Sequence, residues 1–167
     1  MLSPSMIEKL NSQINLEQYS ANLYLQMSAW CEQKGYVGSA EFLRTHAGEE
    51  HVHMTRLFTY VAETGAMPVL GAIAAPSTEY AGLVEVFKQT LAHERRITGS
   101  INKLVEAALN EKDFATFQFL QWFVSEQHEE EHLFQSIVDK MGIIGVDGRG
   151  IYFLDKEIKK LAAPKTA

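Results

Sequence analysis

A single cysteine, Cys31, occurs among the 167 residues. That excludes an internal disulfide and any Cys-x-x-Cys metal or redox site, and it fits a reducing compartment. Positive charge is also scarce: 15 lysines and arginines stand against 21 aspartates and glutamates, a formal net charge of −6, with a pI near 5.5. Phosphate recognition wants a clustered positive field, so nucleic acid is not the expected partner. Long apolar runs are missing. The longest stretch without a charge, residues 64–78, contains Gly65, Pro68, Gly71 and Pro76, whereas a membrane span needs about 20 apolar residues. The first residues have no basic segment followed by an apolar one, so no secretory signal and a cytoplasmic location are expected.

Helix breakers are few as well, 11 glycines and 4 prolines, and most gather at a handful of places. Hydrophobic residues make up 46% and charged residues 22%, the composition of an ordered globular chain. One domain spanning 1–167 is the expectation. The long stretches between breakers are 5–34, 38–64, 79–110 and 112–141, and their apolar residues recur at alternating three- and four-residue steps, the helical period. Ile7, Leu10, Ile14, Ala21, Tyr24 and Cys31 form one stripe; Leu43, Ala47, Met54, Leu57 and Val61 form the second. Val84, Phe87, Leu91, Ile101, Val105 and Ala108 form the third, and Leu120, Phe123, Phe134, Ile137 and Met141 the fourth. Ser3 followed by Pro4 and Ser77 read as helix starts, while Gly35, Gly65 and Gly142 read as stops. No strand-type alternation competes.

Connection lengths give the topology. The links around 35–37 and 110–112 are short and make antiparallel neighbours. The link over 65–78 extends to roughly 45 Å, and a 28-residue helix is roughly 42 Å long. It therefore spans the bundle and leaves the second and third helices parallel. The expected fold is all-α: a four-helix bundle over about 5–141 with one long crossover between helices 2 and 3, and a short fifth helix over about 151–161.

The apolar stripes are interrupted, always by a side chain able to bind metal. Glu17 falls between Ile14 and Ala21, Glu50 between Ala47 and Met54, Glu94 between Leu91 and Ile101, and Gln127 and Glu130 between Phe123 and Phe134. His53, three residues after Glu50, shares its helix face. All lie roughly 18–27 Å along their helices, so they meet at one level whichever way the helices run. Isolated buried carboxylates cost several kcal/mol each and four together repel. No basic residue occupies the stripes, and divalent cations relieve the cost. Four Glu, one His and one Gln make an oxygen-rich shell with a single nitrogen, suited to Fe(II) or Mn(II) rather than structural zinc.

The segments NLEQYSANLY (15–24), HAGEEHVHM (46–54), AHERRI (92–97), FLQWFVSEQHEEE (119–131) and GIYFLDKE (150–157) resemble those of bacterial non-haem ferritins, and the resemblance runs the whole length of the chain. It implies a ferroxidase centre in which Glu17, Glu50 and His53 hold one iron. A second iron shares Glu50 and takes Glu94 and Glu130, with Gln127 close by. A third iron site is implied at Glu49, Glu126 and Glu129, with Glu130 shared, and Tyr24 matches a tyrosine beside the centre. Glu49 and Glu126 point about 100° away from Glu50 and Gln127, so a third site lies beside the pair. A solvated acidic face remains the alternative for Glu49, Glu126 and Glu129, and a core aromatic for Tyr24. His46, His51, His93, His128 and His132 read as structural or surface residues. Bacterioferritins, similar bundles, hold haem through a Met directly after the bridging Glu. Here His51 follows Glu50 and Met54 lies on another face, so haem is not expected.

The implied activity is that of an iron-storage ferroxidase using O₂ or H₂O₂, in a homo-oligomer of 24 subunits by resemblance alone. The enzyme-class alternative is a soluble di-iron oxidase or peroxidase that stores no iron; a metal-free helical interaction protein is argued against by the buried carboxylates. Leu16, Leu23 and Trp30 form a second stripe on the first helix that suits either a subunit contact or packing under the crossover, and Trp122 is a candidate outer aromatic that adds to it.

Overall fold

A computed structural model describes residues 2–145 and 147–162. It contains α1 (Pro4–Gln33), α2 (Val37–Glu63), α3 (Leu83–Asn110), α4 (Phe114–Ile144) and α5 (Gly148–Leu161), and no strand among the described residues. Ser3 caps α1 by accepting from the Met6 N–H, with Pro4 in the first turn where its missing donor costs nothing. Gly35 and Gly65 stop α1 and α2 at φ of 84° and 81°, a region that favours glycine.

Three expected ends move. α3 begins at Leu83 behind Gly82 rather than at Ser77, whose hydroxyl instead turns back on Glu79 within the connection. α4 passes through Gly142 and stops at Gly145, φ 84°. A glycine inside a helix is tolerable, and it is the left-handed backbone that ends one. α5 starts at Gly148 instead of 151, because Asp147 accepts from the Gly150 N–H and caps it there.

Cross-helix bonds establish direction. Gln13, Ser20 and Met27 of α1 meet Ser100, His93 and Thr90 of α3, an antiparallel order. His46, His53 and Tyr60 of α2 meet Phe134, Phe123 and Thr116 of α4, again antiparallel. The crossover runs back along α1. Asn11 bonds Met67 O and Val69 N, Asn15 bonds Val69 O and Gly71 N, and Tyr80 packs edge-on against Trp30 at 5.5 Å. It thus covers the bundle length and leaves α2 and α3 parallel. Of the second α1 stripe, Leu23 and Trp30 are buried and Leu16 is half-buried, and Trp30 packs under the crossover. Trp122 is half-buried, with its ring 5.3 Å from His53 and beneath Arg56 at 4.2 Å.

α5 docks on the start of α2. Asp155 accepts from the Gly38 N–H (3.0 Å), the Ser39 N–H (2.7 Å) and the Ser39 hydroxyl (2.7 Å). A carboxylate there satisfies orphan donors and complements the positive end of the α2 dipole. The approach requires glycine, since a Cβ on Gly38 would lie 2.1 Å from the Asp155 carbonyl oxygen. Leu154 and Ile158 then join a core that includes Tyr24, Phe42, Phe87 and Phe134. A second core, with Ile14, Leu57, Ile101 and Phe123, fills the other half. Between the two lies a polar layer.

Candidate metal centre

Each of α1–α4 contributes to that layer at the level where its apolar stripe is interrupted. Glu17, Glu50, His53, Glu94, Gln127 and Glu130 are all at most 5% exposed. One oxygen or nitrogen from each of Glu17, Glu50 and His53 falls within 4.8 Å of the others, close enough to hold one ion. His53 Nδ1 lies 3.5 Å from Glu50 Oε2, the i,i+3 geometry of one helix face. Glu94 is held differently: Tyr24 donates its phenolic hydrogen to Oε1, and the Gln127 amide donates to Oε2 at 2.9 Å. In a second group, His46, Glu49 and Glu130, the ligand atoms also lie within 4.8 Å of one another. His46 Nε2 stands 3.7 Å from Glu49 and 3.6 Å from Glu130. Glu126 is half-buried and Glu129 exposed on α4, and neither falls in these two groups.

The electrostatics ask for a cation. Glu17 Oε2 and Glu50 Oε2 are buried without a hydrogen-bond partner, and among the described residues no lysine or arginine pairs with Glu17, Glu50 or Glu94. Burial pushes Glu17 well above the usual carboxylate range, and neighbouring Glu50 adds to it. Burial, then Glu94, does the same to Glu50. Glu94 rises to about 7, chiefly through burial, while the bonds from Tyr24 and Gln127 oppose the rise. Acids so placed repel one another until a metal or a proton neutralises them. Tyr24 is raised far above 10 by burial and by Glu94, which keeps it a phenol that donates to the carboxylate.

Three supporting residues escaped sequence reading. Gln13, one turn before Glu17 and also buried, donates to Glu17 Oε1 at 2.7 Å and fixes that carboxylate. His93 is buried with its ring 5.9 Å from Tyr24, edge to face. Arg96 donates to its Nδ1 (3.1 Å), which leaves Nε2–H to face Ser20 Oγ (2.7 Å). Burial and Arg96 push His93 down to about 4, so it is neutral. His46 is the third. Its Nδ1 is tied to the Phe42 carbonyl at 3.0 Å, which aims Nε2 at the acids. For Gln13 the α1 stripe held the signal, four residues before Glu17. The histidines offered none beyond residue type.

A four-helix bundle with one long crossover, carrying a Glu-x-x-His pair and further glutamates at one internal level, defines the ferritin-like class of di-metal carboxylate proteins. The comparisons agree. A sequence model described as Ferritin, ferritin-like domain, matches residues 7–144. The bacterial non-heme ferritin of Escherichia coli O6:H1 is 54% identical over 161 residues, covering 96% of this chain and 98% of the relative. That of Campylobacter jejuni is 49% identical, covering 97% of each. A solved open pore ferritin from Archaeoglobus fulgidus superposes with a TM-score of 0.93 at 42% identity, covering 95% of this chain and 98% of the other. Chlorobium tepidum ferritin gives 0.86 at 49% identity, covering 96% and 98%. The chain belongs to the bacterial non-haem ferritin family.

Proposed function

We propose that this protein is an iron-storage ferroxidase: it oxidises Fe(II) and deposits Fe(III) as mineral inside an oligomeric shell. The observation that carries the reading is the Glu17, Glu50 and His53 group, whose ligand atoms converge within 4.8 Å in the bundle interior with two carboxylate oxygens lacking any hydrogen bond. Iron is the substrate here. Glu17, Glu50 and His53 take one Fe(II), and Glu50 bridges to a second held by Glu94 and Glu130, with Gln127 beside it. Two metals held about 3.5–4 Å apart by a shared carboxylate are a recurrent catalytic unit. Each Fe(II) gives up one electron, so the pair delivers two at once and, with two protons taken from solvent, reduces either O₂ to H₂O₂ or H₂O₂ to two waters. Carboxylate ligands favour the more highly charged Fe(III) and so drive the oxidation.

Storage also requires the product to leave. Gln127 is neutral and engaged with Glu94 rather than offering a further carboxylate, which supports a weakly held second iron. Glu49, Glu126 and Glu129, with Glu130 shared, are the candidate third site, and His46 stands beside Glu49 and Glu130. In this reading residues 1–167 form one ferritin-like domain, the shell has 24 subunits, the location is cytoplasmic and no haem is bound. No helix among the described residues is long and apolar enough to cross a membrane. The test is Glu50→Ala. Fast Fe(II) oxidation in stopped flow should vanish while circular dichroism and assembly size persist; unchanged oxidation would mean that the centre is elsewhere.

A further inference from the structure

A cavity of about 220 Å³ opens between α3 and α4, lined by Thr98, Asn102, Gln127, His128 and Glu131 together with the apolar Ile101 and Val124. Gln127 belongs both to this cavity and to the centre. It is 4% exposed, and its amide nitrogen faces Glu94 Oε2 at 2.9 Å, the Glu94 carbonyl at 3.4 Å and Thr98 Oγ1 at 3.5 Å. A single side chain therefore separates the cavity from the buried acids. Resting on the ferroxidase reading, we propose that Fe(II) reaches the centre through this cavity, with Gln127 as the gate it displaces.

The polar side of the lining suits a divalent cation. Exposure rises from Gln127 through half-buried Thr98 and Glu131 to exposed Asn102 and His128, so polar donors continue from the buried end out to solvent. They are hydroxyl, amide, imidazole and carboxylate groups set beside the apolar Ile101 and Val124, and no lysine or arginine lines the cavity. Arg95 stands 4.0 Å from Glu131 but is also bonded to Gln135 at 2.8 Å. A volume of this size holds several waters at roughly 30 Å³ each, so a cation can enter hydrated and exchange water for protein oxygen in steps. Dioxygen, uncharged, needs no such lining. At the inner end Gln127 offers a soft obstacle: its amide is neutral, and a cation arriving at Glu94 replaces one hydrogen bond by an ionic contact. The His46, Glu49 and Glu130 group includes two residues of α2, so entry and transfer onward use different sides of the centre.

The test is the rate of Co(II) loading of the assembled, metal-free protein under argon, followed by its visible absorption in stopped flow. Asn102→Lys places a positive charge at the exposed mouth, and Asn102→Gln is the neutral control. One charge some 8 Å from a divalent ion in a water-like medium changes its local concentration about fivefold. Loading of the Lys variant should slow by about that factor at low ionic strength, recover in about 0.5 M salt as the charge is screened, and reach the wild-type stoichiometry. Equal rates for wild type and Asn102→Lys at low salt would overturn the route while leaving the centre intact. So would unchanged Co(II) loading with slower Fe(II) oxidation, which would make this an oxidant route. A reduced final stoichiometry in Asn102→Lys would also overturn it, because position 102 would then support the site itself. Wild-type protein that takes up no Co(II) would remove the centre, and the proposal with it.

Discussion

Glu94→Gln should change the stability of the metal-free protein with a sign that depends on pH. In the folded protein Glu94 titrates at about 7, against an ordinary value of 4.5. The folded state thus holds the proton more tightly, and the stability linked to it is full below about 4.5 and is lost as pH rises through 7. Two and a half units correspond to on the order of 3 kcal/mol of destabilisation above pH 7. Glutamine removes that cost but offers one acceptor in place of two. It still accepts from Tyr24, while its amide nitrogen meets the Gln127 amide donor-to-donor, a loss of about 1 kcal/mol. The expected result is a variant more stable than wild type by about 2 kcal/mol at pH 8 and less stable by about 1 kcal/mol at pH 4.5. For a chain of this length 2 kcal/mol moves the midpoint by about 4–8 °C. Thermal unfolding of EDTA-treated protein by circular dichroism, from pH 4.5 to 8, measures it. Equal destabilisation at both ends would refute the claim that an ionised Glu94 is held at a cost. Added divalent metal should abolish the wild-type disadvantage at pH 8, because binding to the folded state alone stabilises it.

Further substitutions probe the rest of the structure. Asp155→Ala removes three bonds to the start of α2 and should cost about 1–2 kcal/mol; amide exchange should accelerate at the α2 start and in α5 with the middle of the bundle unaffected. Gly38→Ala sets a Cβ 2.1 Å from the Asp155 carbonyl oxygen and 2.9 Å from Lys159 Cβ, which should force α5 outward at about 1–3 kcal/mol. Limited proteolysis should then cut between α4 and α5, with Fe(II) oxidation rates unchanged. Gln127→Glu adds a carboxylate against Glu94; a normal first turnover followed by a slow second, measured by sequential Fe(II) additions, is the result expected if the neutral amide serves product release.

Much of this was legible along the chain because a helix writes its buried face into its own period. Leu10 and Ile14, Leu43 and Leu57, Phe87 and Leu91, Phe123 and Phe134 read as core and are core. Glu17, Glu50, Glu94 and Glu130 stood out by breaking those series, and the short and long links sufficed to orient the helices. Ends were less legible. Ser77 and Gly142 have the chemistry of a start and a stop, but Tyr80 buries against Trp30 and draws the crossover on to Gly82, and only Gly145 takes the left-handed backbone that ends α4.

Period and spacing within one helix depend only on the residues of that helix, so the sequence sufficed for the bundle, its crossover and the level of the acids. Relations between helices depend on how far one slides and rotates against another, which side-chain packing alone decides. That is why the tertiary structure was needed to lay Trp30 under the crossover and to bring the α5 backbone against Gly38. The same packing set His46 of α2 opposite Glu130 of α4, and it made Gln127 the partition between a surface cavity and Glu94.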